Sequence, residues 1–148
     1  MAQAAAIPRR ETGSFQLSVP GTIEQRPRVI AFVVGVCRAY SLPLDVEHSV
    51  VSAFGEAFNN VCMHSYRHAA GELDIEVDLE PERLLVRLKD RGAGFDPATV
   101  HAPDLEALPE GGLGLFIMLR AMDEVRWYRQ DGQNVVALAK RLQPRASF

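Results

Sequence analysis

Apolar and polar residues recur along this chain with two different periods, and the periods mark out the elements. Ser14-Phe15-Gln16-Leu17-Ser18-Val19 alternates, which predicts a short strand with Phe15, Leu17 and Val19 inward. Pro20-Gly21 ends it, and Thr22-x-x-Gln25 reads as a capping box for a helix, with Pro27 late for that start. Ile30, Val33, Val34 and Cys37 form the apolar stripe of this helix, which reaches about Tyr40. Leu42-Pro43-Leu44 interrupts the pattern. A second helix opens near Asp45 and runs to about Tyr66. Val50, Phe54, Ala57, Phe58 and Val61 fall on its apolar face; Ser52, Glu56, Asn59, Asn60, Met63 and His64 fall on the other. Glu56 and Asn60 are four apart, so they stack one turn above the other, roughly 40° apart around the axis.

Two cleanly alternating runs follow, Glu72 to Glu80 and Arg83 to Lys89, broken only by Leu85. Joined at Pro81-Glu82, they predict an antiparallel hairpin in which Leu79 faces Leu84, Val77 faces Val86 and Ile75 faces Leu88. The same register sets Glu76 opposite Arg87 and Asp74 opposite Lys89 on the wet face. Asp90-Arg91-Gly92-Ala93-Gly94-Phe95-Asp96-Pro97 leaves the hairpin, and a loop rich in Pro, Ala and acids runs to Glu110. Gly111-Gly112-Leu113-Gly114 opens a short helix through Met122. Val125 to Arg129 and Val135 to Lys140 read as strands turned at Asp131-Gly132, a strong hairpin signal.

The order β-α-α-β-β-loop-α-β-β predicts an α+β fold: a two-layer sandwich of a mostly antiparallel sheet with helices on one face. The expected division is a tail at 1–13, one domain at 14–142 and a tail at 143–148. Charged residues make up 24% of the chain and the net charge is −3 with basic residues scattered, which argues against a nucleic-acid surface. No apolar run approaches the length of a membrane span, and the first ten residues do not resemble a signal peptide, so the cytoplasm is the expected location. Cys37 and Cys62 both fall in predicted helices and read as small buried groups in a reducing compartment.

Taken singly, each polar cluster has an ordinary explanation. The polar helix face can be a solvated surface. Gly112-Leu113-Gly114 can be a plain turn, or an anion site where unsatisfied N–H groups and the helix dipole meet negative charge. Asp90-x-Gly92-x-Gly94 can be a strand exit, or a carboxylate beside backbone that a flat ring can touch. Neither glycine cluster is a P-loop or a Rossmann fingerprint.

Their order is more specific than any one of them. Glu56-x-x-x-Asn60, then Asp90-x-Gly92-x-Gly94, then Gly112-x-Gly114 opening a helix, resemble the N, G1 and G2 boxes of the GHKL ATP-binding superfamily, whose fold is the Bergerat, histidine-kinase-like ATPase fold. Gly55 to Tyr66, Gly112 to Met118 and Met122 to Val125 look like the bacterial anti-sigma-factor serine kinases within it. The resemblance spans roughly residues 14 to 142 and implies ATP and Mg²⁺. On that basis Asn60 would hold Mg²⁺ against the phosphates and Glu56 would take the proton of an attacking hydroxyl. Asp90 would accept from the adenine amino group, and Gly92 and Gly94 would lie against base and ribose. Gly112 and Gly114 would cradle the phosphates, with Leu113 between them in the same contact. His64 shares the face of Asn60, and a structural role for it is as good a reading as a place in the site.

Three features depart from that family. The segment Asp96 to Glu110, the expected lid over ATP, carries Asp96, Asp104, Glu106 and Glu110 and no Lys or Arg; Arg120 or a partner's residue would have to replace the basic residue usual there. Gly132-Gln133-Asn134 stands where Gly-Thr is usual, so Asn134 becomes the polar contact near the base. Ser65 replaces a usual Gly. The resemblance implies a serine/threonine kinase that phosphorylates a STAS-domain anti-sigma-factor antagonist, holds a sigma factor in alternation with it, and forms a homodimer, without direct nucleic-acid or membrane contact. The rival is a partner-sequestering module with weak or no kinase activity. A histidine-kinase fragment, or an ATPase of the gyrase or MutL type, is less in keeping with the chain, which shows neither a preceding dimerisation helix pair nor a transducer domain.

Overall fold

Period-two alternation is realised in five strands: β1 Gly13–Pro20, β2 Glu72–Leu79, β3 Arg83–Asp90, β4 Glu124–Gln130 and β5 Gln133–Arg141. The computed structural model describes residues 11–65, 71–92 and 113–143. The strands make one sheet in the order β1-β2-β3-β5-β4, antiparallel at every pairing. The hairpin register is the expected one: Leu79 faces Leu84, Val77 faces Val86 and Ile75 faces Leu88. Leu73, Ile75, Val77 and Leu79 on β2, with Leu84, Val86 and Leu88 on β3, are all 1% exposed or less. Each such side chain contributes about 1.5–3 kcal/mol by leaving water. Asp131 and Gly132 both take positive φ, 53° and 75°, as the two-residue turn between β4 and β5 requires.

The solvent face of the sheet carries the charge pairs, with one change of partner. Arg87 bonds Glu76 at 3.0 Å and also Asp78, and Lys89 reaches diagonally to Glu76 at 2.8 Å. Asp74 lies opposite Lys89 in register as expected, but it accepts from the Ser18 hydroxyl at 2.5 Å and the Gln133 amide at 3.5 Å.

Three helices form the second layer: α1 Arg26–Ala39, α2 Leu44–Asn60 and α3 Leu113–Ala121. The apolar face of α2 is as expected, with Val50, Phe54, Ala57, Phe58 and Val61 at 4% exposure or less. Two expectations about the helices are corrected. Thr22 makes no capping bond; it is extended, a 3₁₀ turn at Ile23–Gln25 intervenes, and Pro27 sits in the first turn of α1, where its missing N–H costs nothing. In the buried stripe of α1, Val33 and Cys37 are as expected, but Val29 and Val36 stand in place of Ile30 and Val34, which are only partly buried. Ile30 turns toward α2, its Cδ1 3.7 Å from where a Cβ on Gly55 would lie. The extent of the second helix is as expected: α2 is α-helical to Asn60, and the helical run continues without a break as a π turn at Val61–Ser65. Cys62 therefore lies in that π turn and is only partly buried, whereas Cys37 is fully buried. Burial first, then the charges of Glu47 and Glu24 respectively, push both thiols up to about 11, so neither is a thiolate at neutral pH.

The charge network on the sheet sets an acid limit. Burial pushes the Glu76 carboxyl upward, but the hydrogen bonds and charges of Lys89 and Arg87 outweigh it, and its pKa is lowered from the ordinary value. A carboxyl whose folded pKa lies below its unfolded one adds stability above the unfolded value, about 4.3, and loses it as pH falls through the folded value. Urea titrations from neutral pH downward should therefore show Glu76→Gln losing less stability than the wild type across the acid range. Equal losses would contradict the pairing.

Candidate functional site

The site begins where alternation carries a polar residue into an apolar face. Asp90 ends β3 in phase with Leu84, Val86 and Leu88, and Asn134 near the start of β5 is in phase with Val136 and Leu138. The two face each other across the ladder and are 2% and 1% exposed. Asn134 Nδ2 donates to Asp90 Oδ1 at 3.0 Å and to the Gly92 carbonyl at 3.2 Å; the Gly92 N–H donates to the same Asp90 oxygen at 3.0 Å. Both amide protons of Asn134 are thus used inside the fold. Its Oδ1 is buried with no hydrogen-bond partner. Such an acceptor costs about 1–3 kcal/mol unless a donor meets it, so this corner suits a ligand that offers an N–H.

The second wall is α2 against α3. Glu56 and Asn60 are both half-buried near the end of α2, which packs on α3, β3 and β5. A Cβ placed on Gly114 would lie 2.6 Å from Glu56 Oε2. Glycine at this point lets the first turn of α3 come up to the Glu56 carboxylate, which joins the expected N-box and G2 residues. Leu113, just before it, is 54% exposed at the start of the helix.

A residue that sequence reasoning passed over lies on the other flank of Glu56. Arg26, at the start of α1, donates from Nε to Asn59 Oδ1 at 3.3 Å, and its Nη2 lies 2.8 Å from where a Cβ on Gly55 would be. The only hint in the sequence is a glycine inside a helix, which costs about 0.5–1 kcal/mol relative to alanine and so points to a packing reason. Arg120, the expected substitute for a basic lid residue, sits in the last turn of α3, at the opposite end from Gly114, over the Phe116 ring at 5.7 Å. Gly94, Gly112, the segment 96–110 and the His64 side chain lie outside the described residues. No group of three or more His, Cys, Asp or Glu suited to a metal occurs among the described residues. The Asn60 amide oxygen is a hard, neutral donor of the kind Mg²⁺ accepts alongside phosphate oxygens. No helix among the described residues is long and apolar enough to cross a membrane.

A helix bearing a carboxylate and an amide one turn apart, a buried Asp at a strand exit and a glycine in the first turn of the next helix occur together in this α+β domain. Residues 19–140 match the histidine kinase-like ATPase domain family, and the chain belongs to it. Among curated proteins it is similar to serine-protein kinase RsbW of Bacillus cereus, 27% identical over 130 residues, covering 82% of this chain and 81% of the relative. RsbW of Bacillus mycoides is 26% identical over the same coverage. The fold is also similar to part of the crystal structure of the RsbU and RsbW domains of Rv1364c from Mycobacterium tuberculosis, with TM-score 0.66 at 17% identity over 88% of this chain; this chain spans 32% of that longer one.

Asn134→Leu removes the amide that bridges Asp90 and Gly92 while keeping the branched shape of the side chain. It should destabilise the ligand-free protein by about 1–3 kcal/mol in denaturant unfolding. Unchanged stability would show that the bridge is not needed to hold the strand exit.

Proposed function

We propose that the protein is an ATP- and Mg²⁺-dependent serine/threonine kinase acting on a STAS-domain anti-sigma-factor antagonist, and that it sequesters a sigma factor when that antagonist is phosphorylated. The observation that carries this reading is the Glu56 carboxylate held against the first turn of α3, on the helix that also presents Asn60. The similarity to RsbW serine-protein kinases supports it.

In this reading the base lies against Gly92 and Gly94, its amino group donating to Asp90, with Asn134 Oδ1 as a further acceptor. Gly112, Leu113 and Gly114 cradle the phosphates. Asn60 would hold Mg²⁺, which supplies charge neutralisation at the phosphates. Glu56 accepts the proton of the attacking serine or threonine hydroxyl. That oxygen bonds to the γ-phosphorus, and ADP departs with the electron pair of the bridging oxygen. Phosphoryl transfer needs mainly positioning and charge neutralisation, so a half-buried carboxylate and glycine-rich turns suffice as the protein's part. A cytoplasmic homodimer without nucleic-acid or membrane contact belongs to the same reading.

The rival, a partner-sequestering module with weak or no kinase activity, is favoured by one observation: the acidic lid sequence lacks Lys and Arg, and Arg120 is stacked on Phe116. The test is Glu56→Gln with labelled ATP and the STAS-domain proteins of the same genome. Mg²⁺-ATP affinity should be retained while the transfer rate falls about 10²–10⁴-fold, the usual size of a general-base contribution. An unchanged rate removes Glu56 from that role; a wild type that binds ATP and transfers nothing supports the rival.

A further inference from the structure

The lid sequence carries no Lys or Arg, but a cation from the start of α1, Arg26, packs against α2 at Gly55, beside Glu56 in sequence. Arg26 approaches α2 across the helix pair and points Nη2 to where a side chain at position 55 would stand, 2.8 Å from the ideal Cβ of Gly55, with Cζ at 3.7 Å. Its Nε is turned to the Asn59 side-chain oxygen at 3.3 Å. That acceptor is a neutral amide. Among the described residues Arg26 has no carboxylate within ion-pair distance, although Arg38, Arg83, Arg87 and Arg126 each have one. Among the described residues the guanidinium is thus oriented by one bond to a neutral amide, and its charge meets no carboxylate.

Its place on α2 says which anion. Successive residues on a helix are about 100° apart, so Gly55 and Asn59 share one sector and Glu56 stands in the next, with Asn60 beyond it. Arg26 therefore flanks Glu56 on one side as Asn60 does on the other, and Gly114 closes on the Glu56 carboxylate itself. A planar guanidinium fits phosphoryl oxygens in pairs, and an ammonium on a flexible stem does not reproduce it.

We infer that Arg26 is a phosphoryl-binding residue: seated on Gly55 and steered by Asn59, it meets the terminal phosphoryl group of the nucleotide beside Glu56. The inference rests on the nucleotide-binding reading above and adds the residue that distinguishes a triphosphate from a diphosphate. Gly55 is then explained by function as well as by packing, because any side chain there would push the guanidinium off its seat.

Calorimetric titration with Mg²⁺-ATP and Mg²⁺-ADP separates the possibilities. Arg26→Ala should weaken ATP binding at least about tenfold while leaving ADP within about twofold, as expected for loss of a charge-assisted contact to the third phosphate. Gly55→Ala keeps the arginine but displaces it; it should reproduce the selective loss for ATP without lowering the thermal midpoint. Arg26→Lys should fall between wild type and Arg26→Ala. Equal weakening of ATP and ADP would mean that Arg26 only braces α1 against α2, and unchanged affinities, with or without a loss in acceptor binding, would assign it to another partner; either result overturns the inference while nucleotide binding stands. Wild-type protein that binds neither nucleotide would overturn the kinase reading, and this inference with it.

Discussion

Taking a carboxylate out of water at the end of a strand is costly unless donors are waiting for it, and the Asp90–Asn134 contact meets that demand. The strand β3 is committed to burying every second side chain, so its last inward position, Asp90, must be buried too. Asn134 answers from β5, directly across the ladder, and Gly92 answers from the chain just beyond the strand. This constraint locks the end of the central strand pair to the first residues of the strand exit. It also leaves one acceptor, Asn134 Oδ1, facing no donor of the fold. Ordinary cores avoid such an atom, and a pocket that receives an N–H-bearing ring has a use for it.

From this corner the site is assembled by close approaches that depend on missing side chains. Gly114 lets α3 reach the Glu56 carboxylate, and Gly55 lets the Arg26 guanidinium settle on α2. Glu56 is therefore met by the first turn of α3 and has Asn60 one turn on along its own helix. A carboxylate held between two packed helices has the rigid support that a general base needs.

Much of this was legible in the sequence where local periodicity decides the outcome. The β2–β3 register followed from alternation and a two-residue turn, and the β4–β5 turn from Asp131-Gly132, because both are set by neighbours in sequence. The α2 faces were legible for the same reason. What escaped depends on distant partners. The α1 stripe takes Val29 and Val36 in place of Ile30 and Val34, and Ile30 lies beside Gly55 of α2 instead. β5 lies between β3 and β4, an order that no local pattern encodes. The bridge from Asn134 to Asp90 joins residues 44 apart. The extent of the second helix was legible, but not its switch to a π turn after Asn60, and such turns are frequent at functional sites. Arg26 was invisible because its importance is a property of Gly55, on a different helix.

The central claim is that Asp90, Asn134, Glu56 and Gly114 line a pocket for an adenine nucleotide. The most direct test is calorimetric titration of the purified wild-type chain with ATP, with and without Mg²⁺. The account expects saturable binding of one nucleotide per chain, tighter in the presence of Mg²⁺. No heat and no competition by ADP up to millimolar nucleotide would contradict it.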